Sequence, residues 1–163
     1  MVRRILGKAV EWALGYERIV YFTGLRRDPT EPGFTNIPWS KHADDAGYDI
    51  FVDQQIEIQP GTVAEVHTGI CLSAESSIWF EIKSRSSTFK RLGLEVQDAV
   101  IDNGFRGEMF AIVYNPTSEV VHIQKDNRIC QLVPHLLLPC RFVPADDLPS
   151  SSRGTMGFGS TGV

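Results

Sequence analysis

Ala99-Val100-Ile101-Asp102-Asn103-Gly104-Phe105-Arg106-Gly107-Glu108 is the stretch whose reading decides the fold. A short apolar run crests on one carboxylate, turns through Asn103-Gly104, and leaves on an aromatic ring, a cation and a second glycine. Asn-Gly between two apolar segments predicts a β-hairpin, because both central residues of such a turn must tolerate positive φ. With Asp102 on one arm and Phe105 on the other, the tip predicts a small pocket floor. It offers a ring to stack on, open backbone groups and a carboxylate able to take a proton from water. A surface hairpin with a solvated Asp102 fits the same residues, so the rest of the chain has to decide.

Short strands at even spacing surround this stretch. Tyr48–Val52, Gln55–Ile58, Val63–Val66, Gly69–Ser73, Ile78–Lys83 and Leu94–Val96 precede it, and Met109–Tyr114, Val120–Gln124 and Ile129–Leu132 follow. Turn residues separate them at Gln59-Pro60-Gly61, Asn115-Pro116-Thr117 and Lys125-Asp126-Asn127. Gln55–Ile58 alternates as a half-buried strand should, whereas Met109–Tyr114 is almost continuously apolar and predicts a central strand. With no convincing internal helix, the pattern is all-β: a jelly-roll-like antiparallel β-sandwich.

Ahead of it, Val2, Ile5, Leu6, Ala9, Val10, Ala13 and Leu14 recur at helical spacing, opposite Arg3, Arg4 and Lys8. They predict a short amphipathic helix ending near Gly15. A helix docked on the domain or on a neighbouring subunit is the plain account; an organelle-targeting stub or a membrane-surface helix is the alternative. Arg18–Leu25 reads as a strand and Arg26–Lys41 as an irregular connector. The chain thus divides into an N-terminal extension (1–17), a β domain (18–147) and a Ser- and Gly-rich arm (148–163). That arm cannot bury a core of its own and stays mobile until something orders it.

Bulk properties remove several classes. A chain of 163 residues with a net charge of -4 fits one domain and argues against a basic nucleic-acid face. Cys71, Cys130 and Cys140 are odd in number and form no Cys-x-x-Cys, so neither a disulfide framework nor a zinc site is suggested. Reduced thiols in a cytoplasmic compartment are the simplest account. No apolar run approaches the ~20 residues of a membrane span. His42, His67, His122 and His135 lack ligand spacing.

Four further stretches carry candidate chemistry. Asp45-Ala46-Gly47-Tyr48-Asp49-Ile50 sets two carboxylates about a glycine at a strand opening, or is a solvated turn. Lys83-Ser84-Arg85-Ser86-Ser87 offers a guanidinium fork and hydroxyls to an anion, or is a polar turn. Asn127-Arg128-Ile129-Cys130-Gln131-Leu132 embeds Arg128 and Gln131 in an apolar strand, where polar groups need partners, structural or otherwise. Arg153-Gly154-Thr155-Met156-Gly157-Phe158-Gly159-Ser160-Thr161-Gly162 interleaves glycines, which let backbone N–H groups approach phosphates, with a cation and a stacking ring.

These five stretches, in this order and spacing, resemble the five motifs of the trimeric dUTP diphosphatases (dUTPases). The resemblance covers roughly residues 44–163. It implies hydrolysis of dUTP to dUMP and pyrophosphate, which limits uracil incorporation into DNA and supplies dUMP for thymidylate synthesis. It also implies a homotrimer whose three sites are each built from all three chains. Asp102 would activate the attacking water, and Arg85, Ser86, Gln131 and Arg153, with Ser87 in the same motif, would hold the triphosphate. The backbone from Ala99 through Ile101 would read the uracil edge, and Phe105 would pack under the deoxyribose. Phe158, beside Gly159 and Ser160 on another subunit's arm, would close over the base. Asp49 would support the phosphate region. Mg²⁺ would be bound by phosphates and water, with no ligand from protein side chains.

Phe105 stands where the family commonly has Tyr, Ala99 where Gly is usual, Ser84 where Pro or Ala is usual, and Met156 where a first Gly is usual. The related dCTP deaminases share the Arg-Ser-Ser run, but Ile112 occupies the position of their catalytic Glu. A dUTPase-like binding module, its work being to engage a protein partner, is the reading from another class.

Overall fold

The computed structural model describes residues 20–24, 38, 40–42 and 44–155. Its elements, in chain order, are β1 (Val20–Gly24), β2 (Tyr48–Phe51), β3 (Ile56–Ile58), β4 (Val63–Ala74), β5 (Ile78–Ser84), α1 (Ser86–Leu92), β6 (Glu95–Val96), β7 (Ala99–Ile101), β8 (Met109–Tyr114), β9 (Val121–Ile123) and β10 (Arg128–Leu136). Two four-stranded sheets, β1-β4-β8-β6 and β2-β10-β5-β7, are accompanied by the pair β3-β9, and every pairing is antiparallel.

Side-chain alternation explains the layers. On β5, Ile78, Phe80 and Ile82 are buried while Trp79, Glu81 and Lys83 stay half-buried; on β8, Met109, Ala111 and Val113 are buried and Phe110 and Tyr114 exposed. The inward residues join Ile50, Ile70, Leu94, Ile123, Ile129 and Leu132 in a single apolar core. Burying each such side chain contributes roughly 1.5–3 kcal/mol. The predicted all-β antiparallel class therefore holds, and β8 lies inside its sheet as its apolar run predicts. No helix among the described residues is long and apolar enough to cross a membrane.

Three readings need correction. First, Val63–Val66 and Gly69–Ser73 are one strand, β4, whose register slips between His67 and Ile70. Gly69 sits at that bulge with φ +69°, and its N–H is taken by Glu108 Oε1 at 3.0 Å. A bulge kinks a strand without ending it.

Second, the polar run after β5 enters a helix, α1. Seven residues are too few to show a period, but the ends are well defined. Arg85 is extended (φ −83°, ψ 146°), and Gly93 closes the helix in the left-handed region (φ 68°), its N–H donating to Phe89 O. Thr88 pins the helix to the core, its Oγ1 donating to Ile129 O at 2.6 Å.

Third, Asn103-Gly104 is not the turn of a hairpin. β7 pairs with β5, and β8 pairs with β4 and β6, so the chain crosses here from one sheet to the other. Phe105 N–H donates to Asp102 O at 3.0 Å and closes the turn, but neither Asn103 nor Gly104 has positive φ. The expected N-terminal helix lies outside the described residues. Residues 148–155 of the expected arm are exposed and form no strand; the rest of it lies outside the described residues.

Candidate functional site

Neighbouring strands build the first half of the site. On β2, β10 and β5, Asp49 lies opposite Gln131, and Gln131 opposite Lys83. Where β5 passes into α1, Arg85 and Ser86 arrive beside them. Asp49, Arg85, Ser86, Arg128 and Gln131 then line one cavity with Ser40, Lys41, Asp45, Ala46 and Gly47, about 620 Å³ in volume. That is the size of a small-ligand site.

The charges in it are ordered by one carboxylate. Asp49 accepts from Arg85 Nε at 2.6 Å and from Arg128 Nη1 at 3.3 Å. Arg85 Nη1 also donates to Arg128 O at 2.6 Å. Arg85 is thereby locked on one side of its planar fork, and its remaining N–H donors are left for an anion. Three cations (Lys41, Arg85, Arg128) line the cavity against two carboxylates (Asp45, Asp49). Gln131 Nε2 donates to Ser84 O at 3.1 Å, and a Cβ on Gly47 would come 2.2 Å from Gln131 Oε1. Only glycine at residue 47 leaves the amide where it is. Cys130, buried beneath this group, has its thiol pKa pushed up to about 12, chiefly by burial and further by the Asp49 charge, with Arg85 opposing.

The second half lies elsewhere on the same chain. Ala99 and Ile101, both half-buried, pair with Ile82 and Phe80, and Asp102 follows as an exposed residue at the end of β7. Phe105 is 43% exposed, and its ring lies over Gly107, where a Cβ would meet Cζ at 2.6 Å. Arg106 folds back onto the turn, donating from Nη1 to Asn103 O at 2.6 Å and Phe105 O at 2.7 Å. Glu108 ties the exit of the segment to the β4 bulge through Gly69 N–H and a 3.1 Å contact with His67 Nδ1.

The two halves are far apart. Continuing the β7–β5 register puts Asp102 level with Trp79, while Arg85 follows the far end of β5. At about 3.3 Å per residue that is roughly 20 Å along the strand. Asp102 is not among the residues lining the Arg85 cavity.

Of the other sequence-predicted site residues, Ser87 is half-buried in the first turn of α1 and Arg153 is exposed beyond the last strand. Phe158, Gly159 and Ser160 lie outside the described residues. Sequence reasoning assigned Arg128 no role, although an Arg in an apolar strand was the signal. It passed over Ser40 and Lys41 altogether, since an irregular connector has no pattern to read.

The profile of the dUTPase family matches residues 35–162. A deoxyuridine 5'-triphosphate nucleotidohydrolase of Alkaliphilus metalliredigens is 33% identical over 129 residues, spanning 78% of this chain and 90% of that one. Its counterpart in Thermobifida fusca is 36% identical over 140 residues, 84% of this chain and 76% of that one. Among solved structures, the Staphylococcus bacteriophage 80alpha dUTPase G164S mutant with dUpNHpp superposes with a TM-score of 0.78 at 22% identity, over 89% of this chain and 99% of that one. Two ordered half-sites on a dUTPase-like fold, and relatives at this identity over most of their length, lead to one conclusion: the chain belongs to the dUTPase family.

Proposed function

We propose that this dUTP nucleotidohydrolase cleaves dUTP to dUMP and pyrophosphate in a site shared between copies of the chain, with Asp102 as general base. The separation of roughly 20 Å between Asp102 and Arg85 supports the sharing, because it far exceeds the span of a triphosphate. A second copy has to bring its Arg85 cavity to the first copy's Asp102 tip, and a closed homotrimer satisfies every copy alike.

In this reading water attacks the α-phosphorus in line. Asp102 takes the water's proton, and the oxygen bridging the α- and β-phosphates leaves with pyrophosphate. Phosphoryl chemistry of this kind rests on positioning and charge neutralisation, and the base contributes roughly 10²–10⁴-fold. Arg85, Ser86, Ser87 and Gln131 hold the triphosphate, and Asp49 holds Arg85 and Arg128 in place for it. The backbone from Ala99 through Ile101 reads the uracil edge. Phe105 packs against the deoxyribose. Arg153, Phe158, Gly159 and Ser160 belong to an arm, 148–163, that closes over a neighbouring copy's site and excludes water.

Mg²⁺ would be carried by the triphosphate and water, with no ligand from protein side chains, and would supply positive charge beside the phosphates. Among the described residues no three metal-ligating side chains gather, and Asp49 is already engaged by two guanidiniums. We place the protein in the cytoplasm, on the ground of three free thiols and no disulfide.

The test is pyrophosphate release from dUTP, dCTP, dTTP and UTP with Mg²⁺, for the wild type and Asp102→Asn. Release from dUTP alone, lost in the variant, is the expected result. Equal rates with the other nucleotides would refute the substrate reading, and an active Asp102→Asn would refute the assignment of the base.

A further inference from the structure

We propose that Asn103 is the positioning residue of the Asp102 carboxylate, its side-chain amide holding the tip against the turn between β4 and β5. The inference rests on the reading of Asp102 as the base. Among the described residues the Asp102 carboxylate accepts no hydrogen bond, so its place is set through the backbone on either side. Upstream, the last rung of the ladder is Ile101 against Phe80. Downstream, Phe105 N–H donates to Asp102 O at 3.0 Å, a bond within the tip itself, and what fastens that turn to the sheets beside Asp102 is Asn103. Its Nδ2 donates to Glu75 O and to Ile78 O, each at 2.7 Å, with Ala74 O at 3.4 Å. An amide NH₂ has two hydrogens, and the two short bonds use both.

The receiving carbonyls are well chosen for an anchor. Ala74 ends β4 and Ile78 begins β5, strands of opposite sheets, and the turn between them is closed by Ile78 N–H donating to Glu75 O at 3.1 Å. Asn103 therefore fastens the tip to a point where the two sheets are already joined.

The backbone supplies no competing reason for the residue. Asn is favoured in tight turns for its tolerance of positive φ, and Asn103 does not have one. Its side chain is the reason that remains. Ala has no donor at this position, and Asp would turn a carboxylate on three carbonyl oxygens. Without the amide, Asp102 swings about the end of β7. A displacement of about 1 Å in a reacting group can cost 10²-fold in rate.

The experiment compares Asn103→Ala, Asn103→Asp and Asn103→Gln with the wild type and Asp102→Asn in the full chain. It measures kcat and KM for dUTP well below each variant's melting temperature, with rates normalised to folded protein by circular dichroism. The expected result is a kcat lowered about 10–100-fold in the Ala and Asp variants with KM within about twofold, and partial recovery in the Gln variant, which keeps the donor. A kcat within twofold of wild type in Ala and Asp, or a loss carried by KM, would overturn the inference while Asp102→Asn stays inactive. An active Asp102→Asn would overturn the base assignment and this inference with it.

Discussion

Mixing two inactive variants restores activity if the site is shared, and the geometry sets how much. Asp102→Asn removes the proposed base at the end of β7; Arg85→Gln removes the guanidinium that Asp49 holds beyond the far end of β5. Each variant alone loses roughly 10²-fold or more. Continuing the β7–β5 register puts the two residues roughly 20 Å apart in one chain, so the proposed shared site takes Asp102 from one copy and Arg85 from another. In an equimolar mixture, a given site draws an intact Asp102 with a chance of one half and an intact Arg85 with the same chance. Averaged over all trimers, about a quarter of the sites are then wild type; trimers of one variant alone have none, so a mixed trimer carries one wild-type site in about three. The variants are co-refolded or co-expressed with different tags, the mixed species isolated over both, and pyrophosphate release from dUTP recorded. Recovery to about a third of the wild-type rate is expected of the isolated mixed trimers. Activity staying at the level of either parent would refute the shared site and force Asp102 and Arg85 into separate roles within one chain.

Gly47→Ala drives a Cβ to 2.2 Å from Gln131 Oε1. Displacement of that amide from the cavity is expected to raise KM for dUTP by about tenfold, near the worth of one charge-assisted hydrogen bond; an unchanged KM would remove Gln131 from phosphate binding. Gly107→Ala meets the exposed Phe105 ring at 2.6 Å and turns it aside. Stability should change by less than about 1 kcal/mol, while the preference for dUTP over UTP, read as the ratio of kcat/KM values, narrows several-fold if the ring packs on the sugar. Cys130 tests burial through pH. Its thiol, raised from 9.0 to about 12, is protonated in the folded chain where the unfolded chain has begun to ionise. The stabilisation is complete below pH 9 and is lost as pH rises from 9 towards 12, with a slope of up to about 1.4 kcal/mol per pH unit. Cys71, raised by burial and by Glu108, acts in the same direction. Urea unfolding midpoints across that range should fall in the wild type and fall less steeply in Cys130→Ala; parallel lines would show that Cys130 is not the group responsible.

The fold class was legible because period-two alternation on strands such as β5 and β8 is a local signal, and the core follows from it. What failed was the inference from a local turn to its partner. Asn103-Gly104 has the composition of a hairpin turn, yet the apolar runs on its two sides bond to different sheets. Nothing in ten residues specifies which strand a run will pair with, since backbone ladders are made with whatever the topology brings alongside. The same gap separates the legible part of the candidate site from the rest. Gln131 and Arg128 stood out as polar groups in an apolar strand that need partners, Arg85 as a fork for an anion, and Asp49 as one of two carboxylates about a glycine. That Asp49 serves as the common partner of Arg85 and Arg128 required the register of β2 against β10. Asn103 carries the argument furthest. A residue read as a concession to the backbone turns out to have an ordinary backbone, and its side chain spans to Glu75 and Ile78. Turn chemistry and tertiary anchoring call for the same amino acid here, and only the sign of φ separates them.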